Sequence, residues 1–165
     1  MKYLNLLILI VFVSCSPESS FHKKTDADGS SVLIGHIDRS LLFQEFPEWE
    51  LGLKYYRPDP AVLDSLRKIS KDLSIEIFLG TWCGDSRREI PHFFKIADEL
   101  DTDLFADIQL WAVDRGKKIP DSDLADERNI KYVATFIIYE GDNELGRIIE
   151  VPEKSLEEDI LRIIL

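Results

Sequence analysis

Cysteine is scarce in this chain of 165 residues: there are two, Cys15 and Cys83. Two thiols do not make the disulfide framework of a small secreted scaffold, and a chain this long can bury a core without one. Histidine is almost as rare. His22, His36 and His92 are scattered without metal-ligand spacing, so no metal and no other cofactor is expected. Basic residues are outnumbered: 20 Lys and Arg face 31 Asp and Glu, a formal net charge of −11. That balance argues against nucleic acid as a partner and against an electrostatic grip on anionic lipid. Long apolar runs are missing too. Leu4 to Val13 is about ten residues, broken by Asn5, whereas a membrane-spanning helix needs roughly 20. There is no internal repeat and no low-complexity segment.

What is present is an ordinary globular composition, 45% hydrophobic and 31% charged, enough for one domain with a short leader. Lys2 followed by the apolar run has the form of a secretory signal. The run ends in Val13-Ser14-Cys15, which resembles the lipobox of bacterial lipoproteins, with Phe12 standing where leucine is usual. The resemblance implies a signal peptide over 1–14 and a lipidated Cys15 as the first mature residue. The protein would then sit in the cell envelope, anchored to the membrane by lipid alone and facing the periplasm or the exterior. A plain signal peptide that happens to contain a cysteine is the other reading. Ser16 to Ser31 is polar, with Pro17, Gly29 and five serines, and reads with Cys15 as a flexible tether over 15–31.

Residues 32–73 read as an N-terminal extension packed on the core. Val32 to Ile37 predicts an edge strand, and Ser40 to Leu53 one or two short helices interrupted by Pro47. Asp59 and Pro60 open a helix that the stripe Val62, Leu63, Leu66, Ile69 carries to about Lys71. Phe46, Trp49, Tyr55 and Tyr56 are expected to pack the extension on the sheet, with a partner-binding surface as the other reading. From residue 74 the order is β-α-β-α-β-β-α. Ser74 to Gly80 is a strand, Ser86 to Leu100 a helix kinked at Pro91, and Ile108 to Val113 a strand. Ser122 to Asn129 is a short helix. Tyr132 to Tyr139 and Glu144 to Glu150 form a hairpin around Gly141-Asp142-Asn143, and Ser155 caps the last helix.

This order, with Trp82-Cys83-Gly84-Asp85-Ser86 at the end of its first strand, resembles the thioredoxin superfamily over 74–165, and in particular bacterial exported members that read Gly-Thr-Trp-Cys-Gly-Asp-Ser. The resemblance implies an α/β thioredoxin-like fold, a central mixed sheet flanked by helices, here with an N-terminal helical extension. It implies Cys83 as nucleophile and Trp82 as a face for substrate. Val133-Ala134-Thr135 aligns with the family's cis-proline segment, which presents a backbone edge to substrate. The residues give their own reason for Cys83. It sits at a strand-to-helix turn, where backbone N–H groups and the helix dipole favour a thiolate. Arg87 and Arg88 add to that field; Asp85 and Glu89 oppose it.

Three positions depart from the pattern. Ser86 stands in place of the second cysteine and cannot resolve a mixed disulfide; it can hydrogen-bond the Cys83 sulfur or cap the helix. Ile77 replaces the buried acid that serves that second cysteine. Ala134 replaces the proline, and because a non-proline cis peptide costs about 2.5–4 kcal/mol, it predicts a trans bond and a remodelled loop. The functional expectation is thiol-disulfide exchange through one cysteine, with Cys83 and Ser86 catalytic. Exported protein thiols or disulfides are the partners, and an external thiol reductant resolves the adducts. A non-catalytic binding module on the same scaffold is the alternative, and a redox sensor a third reading.

Overall fold

Strand β3 (Leu73–Leu79) alternates buried and half-buried residues before becoming wholly buried, as a strand covered on both faces must. In the computed structural model, which describes residues 21–26, 29–102 and 104–165, it lies inside a six-stranded mixed sheet. β3 is parallel to β4 (Phe105–Ala112) and antiparallel to β5 (Thr135–Glu140). β5 pairs antiparallel with β6 (Asn143–Ile149), and Gly141 at φ +59 supplies the left-handed residue of their turn. On the other side of β4 lies β2 (Ser31–Ile37), then β1 (Phe21–Thr25), each antiparallel to its neighbour. The order is β1-β2-β4-β3-β5-β6.

Helix α4 (Gly84–Leu100) joins β3 to β4 and buries Ile90, Phe93, Phe94, Ile96 and Leu100. With α6 (Leu156–Ile164) it covers the face carrying Ile75, Ile77 and Phe136. Ser155 caps α6 by accepting from the Glu158 N–H at 3.3 Å. The opposite face holds a smaller cluster, Phe78, Val113, Ile119, Ile130, Val133 and Ile137, beside the one-turn helix α5 (Leu124–Glu127).

The N-terminal segment departs from expectation in three ways. First, it is woven into the sheet. Val32–Ile37 forms an inner strand because Phe21–Thr25 pairs outside it. The tether expected over 15–31 is therefore partly structured, and Cys15 and residues 16–20 lie outside the described residues. The edge strand β1 is exposed throughout and carries Lys23 and Lys24, charges that discourage edge-to-edge pairing. Second, its helices are short: α1 (Arg39–Glu45), a 3₁₀ turn Pro47–Trp49, α2 (Glu50–Tyr55) and α3 (Pro60–Leu66). α3 stops at Leu66 rather than near Lys71. Lys68 and Ile69 close tighter bonds to Ser65 and Leu66, and the Arg67 guanidinium turns away to the Glu99 and Leu100 carbonyls at the end of α4. Third, of the expected aromatic core, Trp49 and Phe46 are buried, Tyr56 is half-buried, and Tyr55 is 67% exposed.

The extension grips α4 at its proline. A Cβ on Gly52 of α2 would lie 2.5 Å from Pro91 Cβ, so only glycine permits this approach. Nearby, Glu89 of α4 accepts from Arg88 at 2.6 Å and lies 3.4 Å from His92. His92 stacks on Tyr56, ring centroids 3.9 Å apart. The Tyr56 hydroxyl donates to buried Glu157 of α6 at 2.5 Å. Burial and the Glu157 carboxylate together push the Tyr56 phenol well above its ordinary range.

Candidate functional site

β3 ends at Leu79, and the chain turns through Gly80, Thr81 and Trp82 before α4 begins. Three bonds fix that turn. Cys83 N–H donates to the Gly80 carbonyl at 2.8 Å. Thr81 Oγ1 accepts from Leu33 N–H of β2 at 3.2 Å. Ser86 Oγ accepts from Gly80 N–H at 3.1 Å. Cys83 itself is the N-cap of α4, with extended backbone (φ −94°, ψ 131°) and no side-chain bond to the helix. Its side chain is half-buried and points across to the loop before β5, where Sγ donates to the Val133 carbonyl at 3.0 Å.

Ser86 is not where its expected roles would put it. It is 0% exposed, sits inside the first turn rather than at the cap, and takes the Gly80 N–H. It is a positioning residue that ties the start of α4 to the end of β3.

Trp82 is half-buried. Its indole N–H donates to the Val113 carbonyl at 3.1 Å, and its ring lies so close to Gly80 that a Cβ there would be 2.7 Å from Cε2. Arg115 and Lys117 stand over the ring at 5.2 and 5.5 Å from the centroid. The indole is therefore not the bare apolar face that the sequence led us to expect.

The Val133–Ala134 peptide is cis, which corrects the trans bond expected of alanine. The surrounding bonds hold the segment closely. Thr135 Oγ1 donates to the Tyr132 carbonyl at 2.8 Å, and Ala134 O accepts from Glu150 N–H at 2.6 Å. Val133, Ala134 and Thr135 are all buried, so their side chains offer no contact surface. The exposed apolar groups beside them are Tyr132, Ile149 and Val151, none of which the sequence marked.

The field around Cys83 is also narrower than four nearby charges imply. Arg88 is committed to Asp85 at 2.8 Å and to Glu89 at 2.6 Å, leaving exposed Arg87 as the other cation of the first turn. Burial alone would push the Glu89 carboxyl up, but bonds from His92 and Arg88 outweigh it and hold the group below its ordinary value. On the smaller core face, Glu76 receives Arg128 through two bonds of 2.6 and 2.9 Å and the Tyr139 hydroxyl at 3.1 Å. Burial and the Glu76 charge push the Tyr139 phenol up to about 12. A cleft of about 560 Å³ opens away from Cys83, lined by His36, Ile37, Arg39, Phe94, Asp98 and Leu110 among others. Among the described residues no group of three or more His, Cys, Asp or Glu is placed to hold a metal.

No family model matches the chain, and no curated protein does. Among solved structures, a protein of unknown function from Pseudomonas aeruginosa, PA1234, is similar with a TM-score of 0.51. It shares 17% identity, and the match covers 77% of this chain and 86% of that one. An HIV epitope-scaffold is similar with a TM-score of 0.48 at 15% identity, covering 77% of this chain and 76% of that one. At this identity the likeness to PA1234 speaks to the mixed α/β architecture alone.

Proposed function

We propose that the chain is a thioredoxin-fold protein that carries out thiol-disulfide exchange through the single thiol of Cys83, and that it works in the bacterial cell envelope on a lipid anchor at Cys15. One observation carries the chemistry: Cys83 Sγ is half-exposed at the first turn of a 17-residue helix and meets the Val133 carbonyl of a facing loop at 3.0 Å. The fold reading is supported by the parallel unit β3-α4-β4, followed by the hairpin β5-β6 and α6, in the order β4-β3-β5-β6.

The mechanism follows from the bonds. Cys83 gives up its proton to water, and the thiolate attacks one sulfur of a disulfide. The new S–S bond joins Cys83 to that sulfur. The other sulfur leaves as a thiolate and takes a proton from water. The Val133 carbonyl loses its S–H donor in the same step and becomes an acceptor for a substrate N–H. Ser86 carries a hydroxyl and supplies no second thiol, so an outside thiol must attack the mixed disulfide to restore Cys83. The buried Ser86 also keeps a second reading in view, a binding module that does no exchange.

Capture separates the two. Envelope extracts quenched with acid and resolved without reductant should yield disulfide-linked adducts of the protein that vanish in Cys83→Ser. Equal recovery of partners by the serine variant, through contacts that survive reductant, would favour the binding module.

A further inference from the structure

The formal net charge is −11, yet the loop that leans on the nucleophile's neighbour is basic. Arg115, Gly116, Lys117 and Lys118 follow β4. Asp114 folds this loop. Its side chain accepts from Lys118 N–H at 2.9 Å and its carbonyl from Lys117 N–H at 2.9 Å. The turn leaves Lys117 at φ +61, a conformation that glycine adopts freely and residues with a Cβ resist. The lysine side chain is thus carried on a left-handed backbone. That lysine's ammonium donates to the Arg115 carbonyl at 3.2 Å and stands 5.5 Å from the Trp82 centroid. Arg115 spans the same ring and reaches Asp26 at 2.7 Å. Asp26 thus answers the charge of Arg115, and Asp114 is engaged by the loop backbone, which leaves Lys117 as the cation over the ring whose ammonium meets a carbonyl rather than a carboxylate.

We propose that Lys117, held over the Trp82 ring, selects the reaction partner of Cys83 by charge, favouring a disulfide that carries a carboxylate near its sulfur. The inference rests on Cys83 being the nucleophile. The retained half of the disulfide lies along Trp82, and its carboxylate meets the Lys117 ammonium there. The chain's overall negative charge opposes any anion at long range. Salt screens that repulsion beyond about 10 Å at 0.1 M, whereas the loop acts at contact.

The test uses the Cys15→Ser protein, in which Cys83 is the sole thiol. Three disulfides are compared at 0.1 M salt: dianionic 3,3′-dithiodipropionate, neutral 2-hydroxyethyl disulfide and dicationic cystamine. The ratio of dianionic to neutral rates, taken in the parent and again in the variants, cancels intrinsic reactivity. Lys117→Gly relaxes the backbone and removes the charge, and Lys117→Glu reverses it. The parent ratio is expected to exceed that of Lys117→Gly about threefold and that of Lys117→Glu by more, with the cystamine ratio moving the opposite way. Ratios unmoved by Lys117→Glu would overturn the charge selection while leaving the exchange reading intact. A Cys83 that reacts with none of the three would overturn both.

Discussion

Ser86 and Cys83 are three positions apart in sequence, one turn of helix, and bond to different partners. Cys83 Sγ donates to the Val133 carbonyl, while Ser86 Oγ accepts from the Gly80 N–H. A buried backbone N–H that loses its acceptor costs about 1–3 kcal/mol, so Ser86→Ala is expected to lower the urea midpoint measurably. Ser86→Cys tests chemistry instead. It restores a second thiol one helical turn from the first, and the variant is expected to reduce insulin disulfides in a turbidity assay where the parent does not. Efficient reduction by the parent without added thiol would contradict the missing resolver. At this scale the sequence was a good guide to where the strand-to-helix turn falls and a poor guide to its surroundings. Trp82-Cys83-Gly84 announced the turn, because a thiol between a buried strand and a helix has few other places to go. The cations over Trp82 come from a loop some thirty residues away, and no local pattern ties the two together. Burial of Val133, Ala134 and Thr135 depends on β6 returning along β5, which is likewise a tertiary fact.

At the scale of elements, the extension positions α4. Gly52 permits α2 to sit on Pro91, and Gly52→Ala would force a methyl into a 2.5 Å contact with a stiff ring. Overpacking of this kind costs about 1–3 kcal/mol, more than the helix propensity alanine regains. A fall in the thermal midpoint is expected, and an unchanged or raised midpoint would refute the contact. The second tie is electrostatic. Glu89 is held below its ordinary value of 4.5, so it stabilises the fold fully above that value and loses the contribution as pH falls through its lowered folded pKa. Glu89→Gln should cost about 1 kcal/mol at pH 7, since one partner, Arg88, is largely exposed. The gap between variant and parent in urea melts should close in acid, below pH ~4.5. Element types were largely legible because strand alternation, Asp59-Pro60 and Ser155 are local signals. The inner position of Val32–Ile37 was not. Its partner Phe21–Thr25 is short and exposed on every residue, so no apolar pattern marked it as a strand.

For the molecule as a whole, the sheet joins the extension to the remainder in one body, and the turn that carries Cys83 stands where β2, β3 and α4 meet. Thr81 reaches Leu33 across that junction, so the N-terminal strands brace the turn as well as widening the sheet. Among the described residues no helix is long and apolar enough to cross a membrane, and the proposed anchor at Cys15 lies outside them. With Cys15 reserved for lipid, the proposed function leaves Cys83 as the one thiol for chemistry. Single-thiol exchange is tested most directly by following the mass of the Cys15→Ser protein after exposure to 2-hydroxyethyl disulfide. A single mercaptoethanol adduct on Cys83 is expected, one that persists after the reagent is removed and is released only when an external thiol is added. An adduct that clears unaided with release of mercaptoethanol, or a Cys83 that never forms one, would contradict it.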